Sequence, residues 1–207
     1  MSGDNNPDYK KFTDEELILR FQKEDIEAFN EIVFRYKDRM VNFLYRYTSS
    51  REDSEDIAQE AFIRLYRSKH LYKEIGKFST WFYTIAINIA RTNLRKKNKL
   101  RTMSINNFYV DDDKDYELTS KITLPDQDAN TIGENYYIQK AINSLEDIHK
   151  EVIILRDVQD LEYEEISKIL DLPLGTVKSR INRARESLKI TLQKFYKTKL
   201  KEKFYRF

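Results

Sequence analysis

Residues 161–188, with the sequence LEYEEISKILDLPLGTVKSRINRARESL, predict two helices joined by a tight turn. Apolar residues recur at helical spacing on both sides of residues 171–175, where Pro173 is expected to end the first helix. The inner positions are Ile166, Ile169 and Leu170, followed by Val177, Ile181, Ala184 and Leu188. The stretch therefore predicts a helix-turn-helix, whose second helix enters the major groove of DNA.

The outer face of the second helix carries the side chains that would meet DNA. Its residues are Lys178, Ser179, Asn182, Arg183 and Glu186. Arginine can pair with guanine through two hydrogen bonds, and asparagine can do the same with adenine. An ordinary pair of antiparallel helices with a solvated basic face is the alternative interpretation.

The rest of the chain is predicted to be helical as well. It has only four glycines and three prolines in 207 residues, and few residues that break helices. Thr13 and the acids after it are typical of a helix start. A second long helix is expected after Ser54, and a third from about Thr80 to about Lys97. No segment alternates as a strand would, so the predicted fold class is all-α.

Charge is unevenly distributed, although 37 basic residues nearly balance 35 acidic ones. Residues 91–101 contain six basic groups and no acid, residues 111–134 have a net charge of −6, and residues 178–207 have +9. Two basic blocks separated by an acidic one are typical of a nucleic-acid-binding protein. A set of solvated faces with a basic tail is an equally weighted alternative.

Composition excludes several functional classes. The chain has no cysteine, which rules out disulfides, thiolate zinc sites and a cysteine nucleophile. Its glycines are at least 42 residues apart, too far for a phosphate-binding loop. Asp111, Asp113 and Asp115 begin like a calcium loop, but Tyr116 and Ile122 replace the required glycine and glutamate.

No apolar run reaches the length of about 18 residues that spans a membrane, and no apolar stretch follows the polar residues 1–11, so no signal peptide is expected. The prediction is a soluble, cytoplasmic protein that is not an enzyme. It is expected to have no catalytic residues, no cofactor, no metal site, no membrane insertion and no small-molecule substrate.

Residues 53–62, DSEDIAQEAF, combine a helix start with a mixed outer stripe. The stripe consists of Asp56, Gln59, Glu60 and Ile63, which helical spacing places on one face. Such a stripe can dock a partner helix. Taken alone, this motif favours capping and solvation as the explanation of the acids.

Residues 76–97, GKFSTWFYTIAINIARTNLRKK, place four aromatic side chains within six residues, followed by a basic run. Four rings that close together are not expected to face a single core. Rings beside lysine and arginine suit single-stranded nucleic acid, because unstacked bases stack on rings while cations meet phosphates. A helix that is buried on two sides is the alternative.

In this order and spacing, the three motifs resemble the extracytoplasmic-function group of bacterial RNA polymerase sigma factors. The resemblance covers about residues 12–100 and 136–192. It implies two small helical domains joined by a flexible acidic linker, with no catalytic activity. The expected divisions are an N-terminal domain at 12–100, a linker at 101–134, a helix-turn-helix domain at 135–192 and a basic tail at 193–207. The implied partners are core RNA polymerase and promoter DNA, with an anti-sigma factor as a further candidate.

The resemblance also implies roles for individual residues. Contact with the polymerase is expected at Asp53, Asp56, Gln59, Glu60 and Ile63. Contact with the melted −10 strand is expected at the loop of residues 69–77 and at Lys77, Phe78, Trp81, Tyr83, Asn88, Arg91 and Arg95. Contact with the −35 duplex is expected at Arg156, Thr176, Lys178, Ser179, Asn182 and Arg183.

The chain departs from the family pattern at four positions. Thr84 stands where an arginine is common, Glu162 where a serine cap is usual, and Asp171 where the turn often has glycine. Aspartate tolerates the left-handed conformation, so the turn is expected to form. Asn182 replaces a larger residue of some members, so no −35 sequence can be transferred. A free-standing helix-turn-helix regulator that binds duplex DNA without polymerase is the rival hypothesis.

Overall fold

The computed structural model describes residues 7–105 and 129–204, and the described chain forms eight α-helices and no strand. The predicted all-α class is therefore confirmed. The helices are α1 (Asp14–Gln22), α2 (Ile26–Thr48), α3 (Arg51–Ser68), α4 (Phe78–Ile105), α5 (Ala129–Asn143), α6 (Asp147–Ile153), α7 (Tyr163–Leu170) and α8 (Leu174–Phe204). Short 3₁₀ turns cover Tyr9–Lys11 and Lys69–Leu71, and α6 continues into one π-helical turn, Ile154–Val158.

The helix starts follow from local capping. Thr13 caps α1 as predicted: its hydroxyl accepts from the Glu16 N–H at 3.2 Å, and the Glu16 carboxylate accepts from the Thr13 N–H at 2.7 Å. The predicted start of α3 after Ser54 is wrong. Ser50 caps this helix by accepting from the Asp53 N–H at 3.2 Å, and Ser54 is buried inside it. The third predicted helix is also longer than expected, because α4 begins at Phe78 and ends at Ile105.

Helices α1–α4 form one bundle, which we call the N-terminal bundle. Of the two interpretations that the sequence left open for the four rings of α4, the structure supports the helix that is buried on two sides. Phe78, Phe82 and Tyr83 are fully buried and Trp81 is partly buried. The Tyr36 ring of α2 meets Phe78 and Phe82 edge to face at 5.4 and 5.5 Å. Helix α4 contacts α2 and α3, and it also contacts α7, so it is buried on two sides.

Helices α5–α8 form the C-terminal bundle, which contains the predicted helix-turn-helix. All the predicted inner residues of α7 and α8 are buried except Leu188, which is partly buried. The turn is shorter than predicted, because α8 begins at Leu174 and already includes Gly175. Helix α7 ends at Leu170, and Asp171 adopts the left-handed conformation with φ of 54°. Pro173 does not end α7. Its carbonyl accepts from the Thr176 and Val177 N–H groups and so begins α8.

Helical structure reaches into both ends of the predicted linker, since α4 continues to Ile105 and α5 begins at Ala129. The aspartates at 111, 113 and 115 lie outside the described residues. Helix α8 continues through most of the predicted basic tail, where the Phe195 ring packs on Tyr137 of α5 at 5.7 Å. Within the described ranges, no helix is both long and apolar enough to cross a membrane.

Candidate nucleic-acid interface

The outer face of α3 presents the stripe that was predicted to dock a partner. Asp56 and Gln59 are exposed, and Ile63 keeps 48% of its surface accessible. Ile57, Ala58 and Ala61 face the core on the other side. An exposed isoleucine one turn after an exposed amide, with an exposed carboxylate one turn earlier still, forms a small amphipathic surface that can receive another helix.

Two other residues of that predicted set have internal partners. Asp53 accepts from the Lys97 ammonium of α4 at 2.6 and 2.5 Å, so it ties α3 to α4. Glu60 pairs with Arg64 one turn along the same helix at 2.5 Å. The second pair is exposed, and such pairs are worth only about 0.5 kcal/mol, so Glu60 remains available to another partner.

The predicted −35 residues of α8 share one outward surface. Lys178, Ser179, Asn182 and Arg183 are exposed, and Thr176 is half-buried at the helix start. The Ser179 hydroxyl donates to the Thr176 carbonyl at 2.9 Å. The three remaining side chains extend from the first three turns of α8, in the N-terminal part of the helix where a recognition helix reads base edges.

Arg156 occupies a different environment from the other five −35 candidates. Its guanidinium donates to the Leu161 carbonyl at 2.8 Å and lies over the Tyr163 ring at 5.1 Å. Asp160 and Glu162 approach it at 3.8 and 3.7 Å. Arg156 thus holds the segment before α7 in place, with 24% of its side chain exposed.

Helix α7 begins with a capping box in which Glu162 is the N-cap residue and Glu165 its partner. The Glu165 carboxylate accepts from the backbone N–H of Glu162 at 3.0 Å. Asp160, with φ of 54°, makes its contact with Arg156. A serine at 162 is therefore dispensable for starting this helix.

The loop of residues 69–77 joins α3 to α4 and is shaped largely by side chains. Tyr72 is buried, and its hydroxyl donates to the Gly76 carbonyl at 2.8 Å. Burial raises the pKa of Tyr72, and the Glu15 and Glu74 carboxylates add to the shift, so this hydroxyl stays protonated. Leu71 and Ile75 point outward, with 61% and 83% of their surfaces exposed.

Several predicted −10 residues contact the C-terminal bundle. The Lys77 ammonium pairs with Glu165 of α7 at 3.2 Å. The Tyr83 hydroxyl donates to the Gln159 side chain at 2.5 Å, and burial raises the pKa of Tyr83 to about 12. Phe78 and Tyr83 are buried in this conformation, whereas Asn88 and Arg95 are exposed and Trp81 is half-buried.

Glu151 of α6 makes the strongest connection between the two bundles. Its carboxylate accepts from the Arg91 guanidinium at 2.7 and 2.6 Å and from the Tyr47 hydroxyl at 2.8 Å. Only 8% of the Glu151 side chain is exposed, against 29% for Arg91. The hydrogen bond to Glu151 raises the pKa of Arg91, while burial and then Glu151 raise the pKa of Tyr47. We call this group the Glu151 clasp.

A second set of contacts lies between α2 and α5. The Arg46 guanidinium donates to the Gln139 side chain at 3.1 Å, and Gln139 donates back to the Arg46 carbonyl at 3.2 Å. The Ser49 hydroxyl donates to Asn143 at 2.7 Å.

The sequence alone did not predict the contacts between the two bundles, either at the Glu151 clasp or between α2 and α5. The one available signal was Glu151 itself, a charged residue at the start of the apolar run 152–155, since a carboxylate in such a position needs a partner.

Comparison with known protein families gives two matches along this chain. The model described as Sigma-70 region 2 matches residues 32–100, and the model described as Sigma-70, region 4 matches residues 136–188. The second match contains the helix-turn-helix, and the first contains the outer stripe of α3 and most of α4.

Two characterised relatives are similar over nearly their full length. The ECF RNA polymerase sigma-E factor of Haemophilus influenzae is 34% identical over 187 residues, covering 89% of this chain and 97% of the relative. The ECF RNA polymerase sigma factor SigW of Bacillus subtilis is 36% identical over 184 residues, covering 85% and 95%.

A solved structure shares the fold. The sigma factor RpoE of Bartonella quintana, crystallised with the anti-sigma factor NepR, matches with a TM-score of 0.63 and 22% identity. The match covers 81% of this chain and 98% of the other.

Proposed function

The chain belongs to the extracytoplasmic-function group of RNA polymerase sigma factors, and from this premise we propose how its two bundles divide the work. As a sigma factor it binds core RNA polymerase and directs promoter-specific transcription initiation. The observation that supports this best is that the Sigma-70 region 2 and region 4 models match one chain, in that order. The sigma-factor relatives also align with the chain over nearly their whole length. A free-standing helix-turn-helix regulator does not need the N-terminal part of the chain that matches Sigma-70 region 2.

We assign polymerase binding to the outer stripe of α3. Asp56 and Gln59 are exposed and Ile63 is half-exposed, so an apolar contact flanked by polar ones can form without any rearrangement. Asp53 has a supporting part, because its pairing with Lys97 fixes α3 against α4.

We assign −35 recognition to α8. Lys178, Asn182 and Arg183 project from its first three turns, and the opposite face of the helix is buried and holds them in position. Arg156 has a different part, because its bond to the Leu161 carbonyl holds the segment before α7 in place. This division places base reading on the exposed residues and makes Arg156 an orienting residue.

We assign −10 recognition to the loop of residues 69–77 together with the exposed side of α4. In the described conformation, part of that side lies against the C-terminal bundle through Lys77, Tyr83 and Arg91. Promoter binding by these residues therefore requires the two bundles to separate. The separation exposes the Arg91 guanidinium, which then exchanges the Glu151 carboxylate for a DNA phosphate.

The proposed domain division is an N-terminal domain at 12–100 and a C-terminal domain at 135–192, with a linker between them and the rest of α8 as an extension. Sigma factors are initiation factors, and we propose that this chain has no catalysis of its own. We place its action in the cytoplasm, where polymerase and promoter DNA are found. An anti-sigma factor that binds the closed arrangement of bundles is a proposed further partner.

The test is transcription in vitro with core RNA polymerase, the full-length chain and fragmented genomic DNA of its source. Specific transcript starts that depend on the chain are expected, and the start sites define its promoter. Absence of both core binding and specific initiation would refute the proposal. Tight, sequence-specific duplex binding without polymerase would favour the free-standing regulator.

A further inference from the structure

The loop of residues 69–77 has little internal support. Apart from the Tyr72 hydroxyl bond to Gly76, its own bonds are Tyr72 N–H to the Lys69 carbonyl at 3.2 Å and Ile75 N–H to the Lys73 carbonyl at 2.6 Å. Three bonds over nine residues do not determine the path of a loop whose two apolar side chains point into solvent. Two side chains of helix α1 add hydrogen bonds at the two ends of the loop.

Gln22, the last residue of α1, supports the beginning of the loop. Its carboxamide nitrogen donates to the Lys69 carbonyl at 2.7 Å and to the Tyr72 carbonyl at 2.9 Å. These two carbonyls bracket the 3₁₀ turn Lys69–Leu71. Both N–H groups of the amide are used, and a side chain without donors cannot replace them.

Glu15, in the first turn of α1, supports the end of the loop. Its carboxylate accepts from the Phe78 N–H at 2.8 Å, at the first residue of α4. The first N–H groups of a helix have no partner within the helix, and a carboxylate there also meets the positive end of the helix dipole. Glu15 therefore fixes where α4 begins.

Gln22 and Glu15 are seven residues apart and thus lie on the same face of α1. Seven residues of helix span about 10 Å. Because helix α1 is rigid and bonds to both ends of the loop, it sets the distance between the start of the loop and the first turn of α4. Tyr72 transmits this geometry further, because its ring packs on Trp81 at 5.5 Å.

We propose that Gln22 and Glu15 are positioning residues for −10 recognition, which set the path of the loop of residues 69–77 that meets the single strand. Both residues precede the segment matched to Sigma-70 region 2, which begins at residue 32. The inference rests on the proposed function, since it gives this loop its role.

The experiment uses full-length protein with core RNA polymerase and a promoter fragment mapped with the wild-type holoenzyme. Promoter opening is followed by the fluorescence of 2-aminopurine in the −10 region. Each variant is also tested on fragments with one altered base pair in the −10 or the −35 element. Core affinity and thermal stability are measured in parallel.

Gln22→Leu keeps the packing volume and removes both donors, while Gln22→Lys retains a donor group of sufficient reach. Gln22→Leu is expected to slow opening about tenfold, equivalent to about 1.4 kcal/mol, the scale of one to two neutral hydrogen bonds. It is also expected to weaken discrimination at −10 and leave −35 discrimination and core affinity unchanged. Gln22→Lys should restore part of the opening rate. Lys23→Gln, at the exposed neighbouring position, is the matched control and should behave as wild type.

Glu15→Leu tests the other end of the loop and carries the comparison if Gln22→Leu does not fold. It should show the same selective loss, whereas Glu15→Gln, which keeps an acceptor for the Phe78 N–H, should lose less. Wild-type opening and −10 discrimination in folded Gln22→Leu and Glu15→Leu would overturn the inference, as would an equal loss of core affinity. Failure of the wild-type holoenzyme to initiate would instead overturn the proposed function.

Discussion

Breaking the Glu151 clasp should open the two bundles and increase binding of single-stranded DNA. Glu151→Gln keeps the size of the side chain, but it removes the charge and turns one acceptor into a donor that faces Arg91. Three hydrogen bonds meet the Glu151 carboxylate, two of them from a guanidinium. Hydrogen bonds to charged groups are worth about 1.5–3 kcal/mol each.

The free energy of contact between the bundles should fall by less than the sum of these three hydrogen bonds. Removing one partner of a buried ion pair costs about 3–5 kcal/mol, but the Arg91 side chain is 29% exposed and water can solvate it once the bundles part. We therefore expect the contact between bundles to weaken by about 2 kcal/mol, or about 30-fold in the closing equilibrium. Since only the open form binds the strand, its affinity for DNA rises by up to the same factor.

The assay uses the full-length chain without polymerase. Fluorescence energy transfer between dyes on the two bundles reports their separation, and anisotropy reports binding of a single-stranded −10 oligonucleotide from the mapped promoter. Glu146→Gln is the matched control, because it makes the same charge change at an exposed position of the turn before α6. Tyr47→Phe removes one of the three bonds and should have a smaller effect. Equal energy transfer and equal affinity in Glu151→Gln and Glu146→Gln would refute the reasoning.

Three further predictions concern the surfaces and the core. Asp56→Arg should abolish binding to core polymerase in a pull-down and leave binding to the −35 duplex unchanged. Glu55→Arg, on the flank of α3, is the control and should leave both kinds of binding unchanged. Loss of both polymerase and duplex binding in Asp56→Arg would contradict separate roles for the two bundles. Arg183→Ala should reduce the binding free energy by about 1–3 kcal/mol at one base pair of the −35 element. Arg185→Ala, which breaks an ion pair with Asp157, is the control and should lower stability without changing base preference. An equal loss of affinity for all −35 sequences in Arg183→Ala would indicate a phosphate contact instead. Because burial raises the pKa of Tyr83 to about 12, its neutral form stabilises the fold fully below its ordinary pKa of about 10, and this contribution is lost as pH rises toward 12. Denaturation measured at increasing pH should show that the free energy of unfolding falls less in Tyr83→Phe than in the wild type between pH 10 and 12. An identical fall in both proteins would contradict this reasoning.

The sequence alone predicted the helix-turn-helix and the outer stripe of α3 because both depend on local spacing. An apolar residue every three or four positions places one face of a helix inward, and the opposite face is then known without any partner. The left-handed Asp171 and the capping of α1 by Thr13 followed from the same local rules. Where capping was ambiguous, as at the start of α3, the sequence prediction failed by about one turn.

Only the tertiary structure decided what covers α4. Local spacing left two interpretations of the α4 rings open, stacking on single-stranded nucleic acid and burial on two sides, and only the packing of the helices shows that Phe78 and Tyr83 lie in the core. The Glu151 clasp joins residues 60 and 104 positions apart, and Gln22 reaches carbonyls 47 and 50 positions away. Local sequence patterns do not encode such distances. They arise when the helices pack, because a buried carboxylate or amide must then find its partners wherever the fold brings them.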